Sequence, residues 1–156
     1  MKRDKALQPL SHQHHNALMG CLLLRKGVEK QADKKVMRDF TVRFWKDTIE
    51  KHLIAEEQVL LPYLVKNQFN KQYLNMIERD HETIRLIAER ITSHSNGYTI
   101  YGVFAGLLEA HIRFEERVVF EKAQEKFSSE QLHALNLDAA APSSRQCTDY
   151  PVKFWE

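Results

Sequence analysis

Glu50-Lys51-His52-Leu53-Ile54-Ala55-Glu56-Glu57-Gln58-Val59 and Glu109-Ala110-His111-Ile112-Arg113-Phe114-Glu115-Glu116-Arg117-Val118 agree at Glu, His, Glu, Glu and Val. The agreement extends backward, because Trp45 and Ile49 precede His52 at the same offsets, seven and three, at which Phe104 and Leu108 precede His111. Such offsets select one face of an α-helix. Each stretch therefore predicts a helix that turns a histidine and a carboxylate, one turn or about 6 Å apart, toward the same side as its large apolar residues.

Working outward, apolar residues recur at three- and four-residue steps over long stretches, with only five glycines and four prolines to interrupt them. That pattern reads as all-α. A first helix is expected from about Leu10–Gln13 to Gln31, with Ser11 as candidate N-cap and Gly27 as a possible earlier end. A second follows Asp33 and runs to Tyr63, where Pro62 marks a kink or the start of the end. The third spans about Asn70 to Thr92 and the fourth about Tyr98 to Lys126, separated by Ser93-His94-Ser95-Asn96-Gly97. Short polar connections force neighbouring helices antiparallel, so residues 1–127 are expected to form an up-down-up-down four-helix bundle. Residues 128–156 read as an extension: Ser128 caps a short helix through Leu135, residues 139–144 form a loop, and the aromatic end Tyr150-Pro151-Val152-Lys153-Phe154-Trp155 packs on the bundle.

The 156 residues suffice for one domain with a sizeable core, at 43% hydrophobic and 28% charged. Lys plus Arg total 23 against 21 Asp plus Glu, which gives no electrostatic case for nucleic acid or an anionic membrane. No apolar run approaches the length of a membrane span. Cys21 and Cys147 form no CxxC pair and read as two reduced thiols. A soluble, cytoplasmic setting is the expectation.

A histidine and a carboxylate on a core-facing stripe are costly to bury unless something satisfies them. Metal coordination would do so; the plain alternative is an exposed i,i+4 pair. Two copies at the same helical phase favour the metal. Helix 3 offers His81, on a face with Ile77, Ile84 and Ala88. Helix 1 offers His15, on the stripe of Leu18 and Leu22, or His14, on that of Ala17, Leu18 and Cys21; His15 is preferred by a small margin. His12, His94 and His133 read as solvated. Imidazole plus carboxylate suits Fe, Mn or Zn, and the absence of clustered thiolates argues against copper(I) or a structural zinc knot. A ferritin-like site uses Glu-x-x-His on two helices, and within the bundle that spacing occurs once, at Glu78 to His81.

With Leu10-Ser11-His12-Gln13-His14-His15, His52 to Val59, Asp80-His81 and His111 to Glu116 in order on four helices, the chain resembles the hemerythrin-like or HHE cation-binding domains over roughly residues 7–126. The resemblance implies a non-haem centre of two iron ions, held by His14 or His15, His52, Glu56, His81, His111 and Glu115 or Glu116, with the two acids bridging. There is one departure: oxygen-carrying members have a second helix-3 histidine where this chain has Ile77, leaving a position open or to Glu78 or a water. The implied functions are a protein that binds, senses or stores O2, NO or iron, or an enzyme that reduces peroxide, NO or O2. Trp45, Ile77, Phe104 and Phe114 are expected to make the pocket apolar and selective for small uncharged gases.

Overall fold

In the computed structural model, which describes residues 2–156, four long helices follow one another: α1 (Gln8–Glu29), α2 (residues 34–66), α3 (Lys71–Ser93) and α4 (residues 99–126). Among the described residues there is no strand. Cross-helix contacts fix an antiparallel ring in the order α1, α2, α3, α4. His14, Gly20 and Gly27 of α1 face His52, Phe44 and Met37 of α2. Arg38 near the start of α2 donates to the Ile91 and Thr92 carbonyls near the end of α3. Tyr73 and Asp80 of α3 meet Phe114 and His111 of α4. Arg3 and Ser11 reach Gln124 and Glu116 of α4, closing the ring. The fold is the four-helix bundle that the periodicity predicts, with α2 and α4 diagonal.

Several boundaries differ from expectation. α1 starts at Gln8 with Pro9 in its first turn, where the missing N–H costs nothing. Ser11 is not its cap; the Ser11 hydroxyl donates to Glu116 instead. Gly27 does not end α1, which continues to Glu29. α2 passes through Pro62 to Lys66. Asp33 and Asn70 do cap α2 and α3, accepting from Val36 and from Gln72 and Tyr73. α1 and α2 both end in Schellman turns with a glutamine, Gln31 or Gln68, in the left-handed position. Three π-turns, at Trp45–Ile49 and Glu56–Leu60 in α2 and Glu115–Val119 in α4, have no counterpart in the sequence reading. Each inserts one extra residue and re-aims the side chains beyond it.

The extension contains α5 (Ser129–His133), α6 (Leu137–Ala140) and a 3-10 turn at Cys147–Asp149. Residues 137–140 are therefore helical where a loop was expected over part of that stretch. Ser128 and Gln131 form a reciprocal capping box. Leu132, Leu135 and Leu137 bury against the bundle, and Phe154 packs edge-on against Phe40 at 5.0 Å. Asn16 of α1 holds the strap between them, donating to the Arg145 carbonyl and accepting from the Cys147 N–H, both at 3.1 Å.

The core is not continuous. One apolar cluster joins Ala17, Leu24, Phe44, Ile49, Leu53, Ile84, Phe104, Leu108 and Ile112. A second joins Leu7, Leu10, Leu60, Leu64, Ile77, Val119 and Phe120. Between them every long helix contributes polar side chains: His14 between Leu10 and Ala17, His52 and Glu56 between Ile49 and Leu60, His81 between Ile77 and Ile84, His111 and Glu115 between Leu108 and Val119.

Close approach in the first cluster needs glycine. A methyl at Gly20 would overlap the Phe44 ring, whereas one at Gly106 would meet nothing within 4 Å. Gly20→Ala should therefore lose about 1–3 kcal/mol to overpacking, offset in part by helix propensity. Gly106→Ala should gain about 0.5–1 kcal/mol. Urea unfolding of the two variants should move the midpoint in opposite directions.

Candidate metal centre

His14, His52, Glu56, His81, His111 and Glu115 are each 0–3% exposed, and they form two overlapping groups. His14, His52, Glu56 and Glu115 each offer one donor atom, all within 4.8 Å of one another. So do His81, His111, Glu56 and Glu115. Both acids are common to both groups. The histidines form two matched edge-to-face pairs, His14 with His52 at 4.6 Å and His81 with His111 at 4.9 Å, and Phe120 stacks on His14 at 5.6 Å.

Every imidazole is aimed by a bond at its outer nitrogen. His14 Nδ1 donates to Glu116 and His81 Nδ1 to Glu57, both at 2.7 Å. His52 Nδ1 donates to Gln13 Oε1 at 2.7 Å, and His111 Nδ1 to Asp80 at 3.0 Å. Carboxylates can only accept, and the Gln13 amide is oriented because its Nε2 donates to the Pro142 carbonyl at 3.0 Å. With all four Nδ1 atoms acting as donors, the four Nε2 atoms point inward. Three lie close to the acids: His14 and His111 each 3.1 Å from Glu115 Oε1, and His81 3.1 Å from Glu56 Oε1. The fourth, on His52, is 3.0 Å from His14 Nε2 and 3.3 Å from Glu56 Oε1.

This interior is rich in lone pairs and poor in donors. Glu56 Oε2, both Glu115 oxygens and His111 Nε2 are buried without hydrogen-bond partners. Two neutral imidazoles would set lone pair against lone pair between His14 and His52, so a proton or another cation belongs there. The balance of charge and burial points the same way. Burial disfavours the charged form of His14, but Glu115 and Glu116 outweigh it and push its pKa up to about 9. Against the same desolvation, Glu115 and Asp80 raise His111 well above its usual value. Burial would raise Glu56, yet the surrounding histidines hold it well below the usual carboxylate range. A cation of imidazole- and carboxylate-binding type fits this donor set.

Other candidates fall elsewhere. His15 is exposed and outside both groups, so the small preference for His15 over His14 does not hold: His14, one turn from both Leu10 and Ala17, is the one buried on the inner face of α1. His12, His94 and His133 are exposed, as expected. Glu116 is turned to His14, leaving Glu115 inside. Ile77 is fully buried in the second apolar cluster. Glu78 is exposed, outside both groups, and does not fill the ligand place that Ile77 leaves. Trp45 and Phe104 lie in the first apolar cluster, while Phe114 is only partly buried, against Tyr73. Sequence reasoning missed the outer partners Gln13, Glu57 and Asp80. Their signal was adjacency: each is the immediate neighbour of an inward residue.

A groove of about 570 Å³ between α2 and α3 is lined by Glu57, Leu61, Pro62, Val65, His81, Arg85 and Leu86 among others. His81 is at its floor, behind the pair in which Arg85 donates to both Glu57 oxygens at 2.6 and 2.8 Å. No helix among the described residues is long and apolar enough to cross a membrane.

An all-α bundle with a buried His and Glu cage at mid-length has the donor set of a cation-binding domain. The model of the hemerythrin HHE cation binding domain matches residues 6–123, and the chain belongs to that family. Comparison with curated proteins and with solved structures gives no match.

The pKa shifts set a pH profile for the metal-free protein. The raised His14 value contributes stability that is complete below 6.5 and lost as pH rises through about 9. The lowered Glu56 value contributes stability present above 4.5 and lost as pH falls through its folded value. Thermal melts in chelator should therefore peak between about 4.5 and 6.5 and decline toward 9. Metal-loaded protein should instead lose stability on acidification, because protons compete for the same atoms. A flat metal-free profile above 6.5 contradicts the assignment.

Proposed function

We propose that the chain holds two non-haem iron ions, His14 and His52 on one, His81 and His111 on the other, with Glu56 and Glu115 shared between them, and that it binds O2 or NO there. The observation that carries this reading is the pair of overlapping four-residue groups with both carboxylates in common. Two dications would neutralise the acids and occupy the orphaned lone pairs. Iron rather than zinc or manganese is the choice because histidine and carboxylate with unfilled positions is the donor pattern of iron–oxygen chemistry. Reduced iron, once bound, supplies the electron density that such ligands take up.

The protein's own contribution is placement and exclusion. Two imidazoles and the two shared acids would hold each ion. Leu10, Ile77 and Phe120 on one side and Leu53, Ile84 and Ile112 on the other keep bulk water out. The α2–α3 groove, with His81 behind the Arg85–Glu57 pair, is the route of access. Ile77, which offers no donor, stands beside the His81 and His111 position where a further imidazole is absent. Turnover of peroxide, NO or O2 is the rival reading. A cytoplasmic setting agrees with the two buried free thiols, Cys21 and Cys147.

Metal analysis of protein loaded anaerobically with iron(II) should find two ions per chain. Stoichiometric zinc with no iron uptake would sink the reading. Glu56→Ala should abolish uptake, whereas Glu57→Gln, which keeps an acceptor for His81, should weaken it about 10–100-fold. On stopped-flow mixing with O2, the iron(II) protein should end mainly as iron(III). Repeated release of O2 on deoxygenation, without oxidation, would instead make it a reversible carrier. Chelation should lower the melting temperature.

A further inference from the structure

The outer bonds of the cage repeat about a pseudo-twofold that exchanges α1 and α2 with α3 and α4. Glu57 holds His81 across the α2–α3 seam, and Glu116 holds His14 across the α4–α1 seam. These two are alike, since each carboxylate also meets an arginine, Arg85 at 2.6 Å and Arg3 at 3.5 Å. The other two are not alike. At the α1–α2 seam the acceptor for His52 is the neutral amide of Gln13; at the α3–α4 seam the acceptor for His111 is the carboxylate of Asp80. Gln13 is buried, while Asp80 is partly exposed and pairs with no lysine or arginine among the described residues.

We infer that the two cation positions are inequivalent, and that the contrast between Asp80 and Gln13 makes the His81 and His111 position the one that fills first. This rests on the two-ion reading above. A carboxylate on Nδ1 makes imidazole a stronger donor at Nε2 and adds negative charge close to a dication, and partners of this kind are worth about 10–100-fold in metal affinity. An amide aims the ring equally well without the charge. Asp80 and Gln13 are thus positioning residues of unequal strength. The shared acids, already engaged by the first ion, hold the second less tightly, which widens the gap.

The test is calorimetric titration of the full chain, stripped with chelator, with iron(II) under anaerobic conditions. Two resolved steps, about tenfold or more apart, are expected. Asp80→Asn keeps an oxygen to accept from His111 and removes only the charge; it should weaken the tighter step about tenfold or more and leave the weaker one in place. His52→Ala should delete the weaker step and spare the tighter. Circular dichroism checks that both variants fold, and Asp80, on the rim of the bundle, has no core packing to lose. Two ions bound in a single step, Asp80→Asn weakening both steps alike, or His52→Ala deleting the tighter step would overturn the inference and leave the two-ion reading standing. Uptake of fewer than two ions by the unmodified chain would overturn that reading itself.

Discussion

Glu56 and Glu115 are two carboxylates brought together at the centre of a helical bundle, with no water-exposed edge between them. Their mutual repulsion and desolvation would be prohibitive for an apolar core. Four imidazoles converge on them, and four further side chains hold those imidazoles at the outer nitrogen. That need for positive charge accounts for most of the differences between this bundle and a plain one: the gap in the apolar core, the ring of bonds across all four helix seams, and the raised pKa values of His14, His81 and His111. Two of its three π-turns begin at the two acids themselves, so the helices change pitch where the carboxylates must turn inward.

The bundle and half the cage were legible because they depend on helical period alone. His52 with Glu56 and His111 with Glu115 lie on single helices, at offsets that any regular helix places on one face. The helix-1 histidine was not legible, because adjacent residues differ by only about 100° around the axis. Both His14 and His15 share stripes with apolar residues, and the helical period alone does not choose between them. The outer partners were hidden for a different reason. Glu57 with His81 and Gln13 with His52 join residues on different helices, and their meeting depends on the height at which those helices pack. The π-turns leave no periodic mark, since the positions 52, 56 and 60 read the same with or without a widened turn.

Residues 128–156 bear on the cage through a single amide. Gln13 accepts from His52 and donates to the Pro142 carbonyl, so the strap that Asn16 anchors also fixes which end of the Gln13 amide faces the imidazole. If the amide turned over, its N–H would meet the His52 N–H, and the ring would have to move its proton to the inner nitrogen.

The split core has a consequence for how the chain comes apart. The two apolar clusters communicate through four helix backbones and through the polar layer, with no continuous apolar packing across it. When the layer is satisfied by bound cations it acts as a rivet between two half-cores, and unfolding is a single cooperative event. When it is not, each half-core keeps its own packing while the joint between them is electrostatically strained. The molecule then has a built-in seam along which partial opening is the least costly fluctuation.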